Sequence, residues 1–240
     1  MITTPLMSLV TRVNEQWRDR VLTGLTLLIV LHLFVIVPLG AVHAVSVRPI
    51  SIILVLLLIC GLLVVSRSVV PAIGVVLALM LLSIALIVRG RGDNVALEVC
   101  FEATGWLLVG LVTAWVVARA VFGPGRITYH RVVGSILLYL PIGFVFVALY
   151  TLVSVLAPGS FTGLKVHDGV SLPPDLVYFS FATLTTVGYG DLAPLHPFAR
   201  SLSSLEAIVG QLYPAKLVAR MVSLELRARP QIIGPARVLG

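Results

Sequence analysis

Long uninterrupted apolar runs decide what this chain can fold into. A helix needs about 20 apolar residues to cross a hydrocarbon layer. Runs of that order recur at 21–42, 49–66, 69–88, 96–118, 132–156 and 199–225. The 240-residue chain is 59% hydrophobic and 11% charged. A water-soluble core of this size has no use for so much apolar surface, whereas a bundle of membrane helices does. The composition therefore predicts an all-α integral membrane protein with six transmembrane helices. One further apolar piece, at about 174–184, is too short to cross. A helix of that length fits a re-entrant segment covered by neighbouring protein, because backbone at membrane depth must be shielded from lipid or face a water-filled cavity.

Charge placement orients the spans. With the N-terminus inside, the cytoplasmic ends hold Arg12, Arg18, Arg20, Arg67, Arg119, Arg126, Arg131, Arg220, Arg227, Arg229 and Arg237, and the outside holds Arg48, Arg89, Arg91, Lys165 and Arg200. That excess favours both termini in the cytoplasm of a multi-pass plasma (inner) membrane protein. The net charge of +7 then reflects topology and contact with anionic lipids. No nucleic-acid partner is expected, since no soluble stretch is long enough to present a basic face.

Four blocks follow. Residues 1–20 read as an interfacial amphipathic helix, with Leu6, Leu9, Val10, Val13 and Trp17 opposite Arg12, Glu15, Arg18 and Asp19. No cleaved signal peptide is expected there, because the apolar segment that follows is too long. Residues 21–122 form a four-helix transmembrane domain. Phe122-Gly123-Pro124-Gly125 interrupts the helical pattern, and 127–226 contains a helix, a loop and a helix. Residues 227–240 are a short cytoplasmic tail.

Chemistry-bearing side chains are few. Cys60 and Cys100 fall inside predicted spans and read as small buried hydrophobes. His32 sits mid-span, while His167 and His196 are expected outside. No phosphate-binding loop, catalytic triad or paired carboxylate is present, so the chain is not expected to be an enzyme.

The loop after the short apolar piece reads Thr185-Thr186-Val187-Gly188-Tyr189-Gly190-Asp191. A bare potassium ion leaves water only where oxygens replace its hydration shell, and rings of backbone carbonyls do this. Aiming successive carbonyls at one axis requires backbone angles that glycine adopts readily. The hydroxyl of Thr186 can add an oxygen at the inner end. The chain holds one copy of this string, so a closed cage requires four chains. Pro173-Pro174-Asp175 precedes it as a stiff helix start with an acid in the first turn. The negative end of that short helix then faces the centre of the ring and favours a cation.

The run YFSFATLTTVGYGDLAP, from Tyr178 to Pro194, resembles the pore of prokaryotic tetrameric potassium channels. Residues 131–226 look like that family's pore domain, with outer helix, pore helix, filter and inner helix in order. The resemblance implies a potassium-selective homotetramer whose partners are itself, potassium ions and membrane lipids. It implies ion binding at Thr186, Val187, Gly188, Tyr189 and Gly190, with potassium held at Thr186 to Tyr189, and no cofactor besides those ions. Thr185, Asp191 and Tyr178 would support the filter, the Tyr178 hydroxyl holding Asp191, while Tyr189 would point away from the axis.

Gly210 stands 19 residues after Asp191, where relatives place a hinge glycine. Pro214 cannot donate to the carbonyl of residue 210, so both weaken one turn. Packing is the alternative role for this pair. Ala207, Gln211, Pro214 and Val218 share a face and form the expected cavity lining. Glu206 and Lys216 are ionisable groups at membrane depth, which makes both functional candidates. Glu206 is placed to bond behind the filter, and Lys216 to pack between subunits or to snorkel.

The predicted fourth helix departs from the voltage-gated plan. A sensor needs several arginines on it, yet Val95 to Ala118 contains none. Glu98 and Glu102 stand there instead, within reach of Arg89 or Arg91. Sensor-type voltage gating is therefore not expected. With 15 residues after Glu225, neither is a cyclic-nucleotide or calcium-binding domain on this chain, and the gating stimulus stays open. The alternatives to a potassium channel are a non-conducting or modulatory subunit and a weakly selective cation channel.

Overall fold

A computed structural model describes residues 69–92, 94–122, 129–164 and 173–228, together with a few positions between 24 and 39. The expected amphipathic helix at 1–20, the second span, about half of the first, the Phe122-Gly123-Pro124-Gly125 connector beyond Phe122 and the tail beyond Ala228 lie outside the described residues. From the first span, a short π-helical turn covers His32–Ile36.

The described chain is helical apart from two short strands. Helix α1 (Val69–Arg91) is followed by α2 (Val95–Phe122) and α3 (Tyr129–Leu156). A strand β1 (Phe161–Thr162), the short helix α4 (Pro174–Leu184), a strand β2 (Ala193–Pro194) and the long helix α5 (Pro197–Ala228) complete it. Among the described residues three helical stretches are long and apolar enough to cross a membrane: Val69–Arg91, Val95–Arg119 and Leu138–Leu156. Helix α5 has the length but is more polar, with Arg200, Glu206, Lys216, Arg220, Glu225 and Arg227 along it. The molecule is thus a helical, multi-pass membrane protein.

Local chemistry explains the α1–α2 corner. Gly92 takes φ +70° and its N–H bonds the Val88 and Arg89 carbonyls, closing α1. The Asn94 side chain then accepts from the Leu97 N–H at 3.2 Å, capping α2. Arg89 reaches Glu98 in the first turn of α2 at 3.4 Å, one of the pairs anticipated from the sequence.

Helix α2 packs along both α1 and α3. Small residues permit the approach: a β-carbon on Gly110 would sit 2.9 Å from Val145 Cγ2, and one on Gly74 would overlap the Val112 side chain. One apolar core runs from Val75 and Ala78 of α1, through Trp106 and Val109 of α2, to Phe144 and Val147 of α3. It continues to Leu176 and Phe179 of α4 and Ala199 of α5. The two sides of the glycine-proline break therefore share a core.

Candidate functional site

Helix α4 and the loop that leaves it form the centre of the site. Pro173 occupies the N-cap position and Pro174 the first turn, where its missing N–H costs nothing, and the Pro173 carbonyl accepts from Leu176 and Val177. The helix stops after Leu184. Its C-cap, Thr185, returns a side-chain bond to the Phe181 carbonyl at 2.6 Å. The next turn stays tethered, because the N–H groups of Val187 and Gly188 reach the Ala182 carbonyl at 2.9 and 3.2 Å.

Beyond this tether the backbone takes positive φ at Thr186 (+60°), Gly188 (+55°) and Gly190 (+82°). Glycine accepts such angles without penalty. Thr186 is the described non-glycine residue with positive φ, an outlier of the kind that clusters at functional sites. Its hydroxyl lies 3.5 Å from Gln211 Nε2 of α5. Val187 and Tyr189 are exposed on the single chain.

The C-terminal end of the loop is held by side chains and by a small sheet. The Tyr178 hydroxyl donates to Asp191 Oδ1 at 3.1 Å, and the Tyr178 and Tyr189 rings stack at 5.8 Å. Strands β1 and β2 pair antiparallel, Phe161 opposite Pro194 and Thr162 opposite Ala193. The Ser160 carbonyl accepts from Leu195 N–H at 2.7 Å, and the Arg200 guanidinium donates to the Pro194 carbonyl at 3.1 Å. Gly163, at φ +76°, lies so close to the Asp191 carbonyl that a β-carbon there would collide with it. The segment after α3 thus grips the chain just past Asp191.

The N-terminal end is held by α3 and α5. The Tyr139 hydroxyl donates to the Leu184 carbonyl, the last of α4, at 2.6 Å. The same carbonyl rests on Gly210, where any β-carbon would strike it. Helix α5 continues unbroken through Gly210 and Pro214. Gly210 therefore has a packing duty, which is one of the two roles weighed for it. Ala207 is half-buried, whereas Gln211, Pro214 and Val218 are exposed on the subunit, as is Lys216.

Behind α4 lies a polar cluster sealed from solvent. Glu206 is fully buried. Tyr150 of α3 donates to Glu206 Oε2 at 2.6 Å, and Ser180 Oγ of α4 is 2.5 Å from Glu206 Oε1 and 2.9 Å from the Gly143 carbonyl. Glu206 was marked in the sequence, but Tyr150, Ser180 and Tyr139 were not. The signal available for the first two is the glutamate itself, since an ionisable group at membrane depth demands polar partners on facing helices.

Residues 138–225 match the family described as "Ion channel". That segment is similar to ion-channel sequences. It is 44% identical over 55 residues to Protein LctB of Bacillus caldotenax, covering 23% of this chain and 40% of that protein. It is 42% identical over 55 residues to the inward rectifier potassium channel Kirbac3.1 of Paramagnetospirillum magnetotacticum, covering 23% of this chain and 15% of that protein. The aligned region thus spans less than half the length of either relative. No solved structure matches. These likenesses support an ion-channel family for the matched part of the chain.

Proposed function

We propose that this chain is the pore-forming subunit of a homotetrameric potassium-selective channel. Helices α3, α4 and α5 act as outer, pore and inner helices, and Thr186 to Gly190 act as the filter. Four copies close a ring, their carbonyls replace the water around potassium, and the Thr186 hydroxyl completes the inner end. The remaining spans make up the six-span plan, with both termini cytoplasmic and lipid around the outer helices.

The observation that carries the reading is one intact TTVGYGD loop on the C-terminal end of a short capped helix, clamped between two long helices. Likeness to a potassium channel over 55 residues adds support. The mechanism is passive. An ion reaches the filter from a cavity lined by Ala207, Gln211, Pro214 and Val218, sheds its water against the carbonyls, and moves on as the next ion enters. Helix α2 carries no arginine before Arg119, so the field across the membrane has no row of charges to move.

The test is a planar bilayer holding purified protein, with potassium on one side and sodium on the other. A reversal potential close to the potassium equilibrium value is expected, and one near zero with measurable current would overturn the selectivity. A second reading, a modulatory subunit, is motivated by Lys216 on the proposed inner helix. Folded tetramers silent under varied voltage, pH and tension would favour it.

A further inference from the structure

The buried cluster behind α4 sets a hydrogen-counting problem. Ser180 has one hydroxyl proton but two oxygens within bonding distance that can accept it, the Gly143 carbonyl at 2.9 Å and Glu206 Oε1 at 2.5 Å. Tyr150 also has one proton, and it points at Glu206 Oε2 at 2.6 Å. If Glu206 were an anion, Ser180 could serve one of its two neighbours and would leave the other contact without a hydrogen. If Glu206 carries a proton on Oε1, every contact is filled. Tyr150 donates to Oε2, Oε1–H donates to Ser180, and Ser180 donates to the Gly143 carbonyl.

The surroundings argue the same way. Tyr150, Ser180 and Glu206 are all buried. Among the described residues no lysine, arginine or histidine forms an ion pair with Glu206. The titratable groups that face it are Tyr150 and Tyr139 of α3, while α4 contributes Ser180 and α5 itself places Ser203 beside the Tyr150 hydroxyl. A lone buried carboxylate would be an uncompensated charge, and such groups take up a proton instead.

Resting on the potassium-pore reading above, we infer that Glu206 is a positioning residue for the filter, held as a neutral carboxylic acid that ties α4 to both α3 and α5. The tie meets α4 at Ser180, one turn and a half before Thr186. The Tyr150 ring also packs edge-on against Phe179 of α4 at 5.0 Å and Phe161 of β1 at 5.7 Å. Through Ser180 and Tyr150, Glu206 is thus linked to the mid-point of α4, the outer helix and the strand that grips the outer end of the loop. It touches no ion and acts only through Ser180 and Tyr150.

Glu206→Gln and Glu206→Leu separate the proton from the bulk. The amide reproduces the neutral acid, since its NH2 donates to Ser180 and its carbonyl accepts from Tyr150. Leucine fills the space and leaves both hydroxyls without a partner. In bilayers, Glu206→Gln is expected to keep the potassium-to-sodium permeability ratio within about twofold, while Glu206→Leu lowers it at least about tenfold. Infrared difference spectra of wild type minus Glu206→Gln at neutral pH are expected to contain a protonated-carboxyl band that shifts in heavy water. Absence of that band, or equal loss of selectivity in both variants, or loss in neither, would overturn the inference. Should wild-type protein pass no potassium-selective current, the pore reading fails alone. The infrared band then still decides the proton, and the thermal stability of Glu206→Gln against Glu206→Leu decides the tie.

Discussion

Gly188 and Gly190 hold backbone angles that a β-carbon resists, at φ +55° and +82° with open space around both. Conformation, not crowding, excludes other residues there, at roughly 1–2 kcal/mol for a left-handed residue. Gly188→Ala is therefore expected to abolish potassium flux into liposomes while chemical cross-linking still yields tetramers. Gly210 is the opposite case. It is helical, and its constraint is the Leu184 carbonyl pressed against it. Gly210→Ala should lower thermal stability by about 1–3 kcal/mol, the usual cost of overpacking, read from a melting curve in detergent. A variant as stable as wild type with altered opening would restore the hinge as its main duty.

Among the elements, α4 matters most because it is held at three levels. Tyr178 bonds Asp191 at the far end of the loop, Ser180 meets Glu206 in the middle, and Leu184 meets Tyr139 and Gly210 at the end of the helix. Losing the outer tie should leave folding intact and disturb conduction. Tyr178→Phe is expected to shorten single-channel open times with the melting temperature unchanged. The β1–β2 pair is a second grip on the same end. Gly163→Ala combines an unfavourable φ with a collision against the Asp191 carbonyl, and should reduce potassium selectivity more than Tyr178→Phe does. Bi-ionic reversal potentials for the two variants, measured side by side, test that ranking.

For the whole molecule, the exposed apolar face of α5, with Leu205, Ile208, Leu212 and Val222, needs lipid or neighbouring subunits. The proposal assigns part of it to copies of the chain. Because bound ions would link four subunits, potassium should stabilise the assembly by mass action. Tetramers are expected to melt at higher temperature in potassium chloride than in sodium chloride of equal strength, with the difference lost in Gly188→Ala. Equal melting in both salts would count against ion binding at the loop. The lack of arginines along α2 before Arg119 predicts a conductance that varies little with voltage, as a steady-state current–voltage series would record.

Membrane class, the position of the short helix and the loop that follows it can be read from the residues alone. Apolar run length, proline at a helix start and glycine at special backbone angles are local properties, and α4 was predicted at about 174–184 and spans Pro174–Leu184. The Arg89–Glu98 pair was legible for the same reason, lying across a short corner. The surroundings of the loop come from packing that no local pattern encodes. Tyr139 lies 45 residues from Leu184, Tyr150 lies 56 from Glu206, and Gly163 meets Asp191 across the strand pair. In an apolar helix a tyrosine, serine or glycine has no periodic signature of its partner. Which helix faces which is set by packing among residues far apart in the chain, and that packing turned Glu206 from an isolated charge into the centre of a hydrogen-bonded tie.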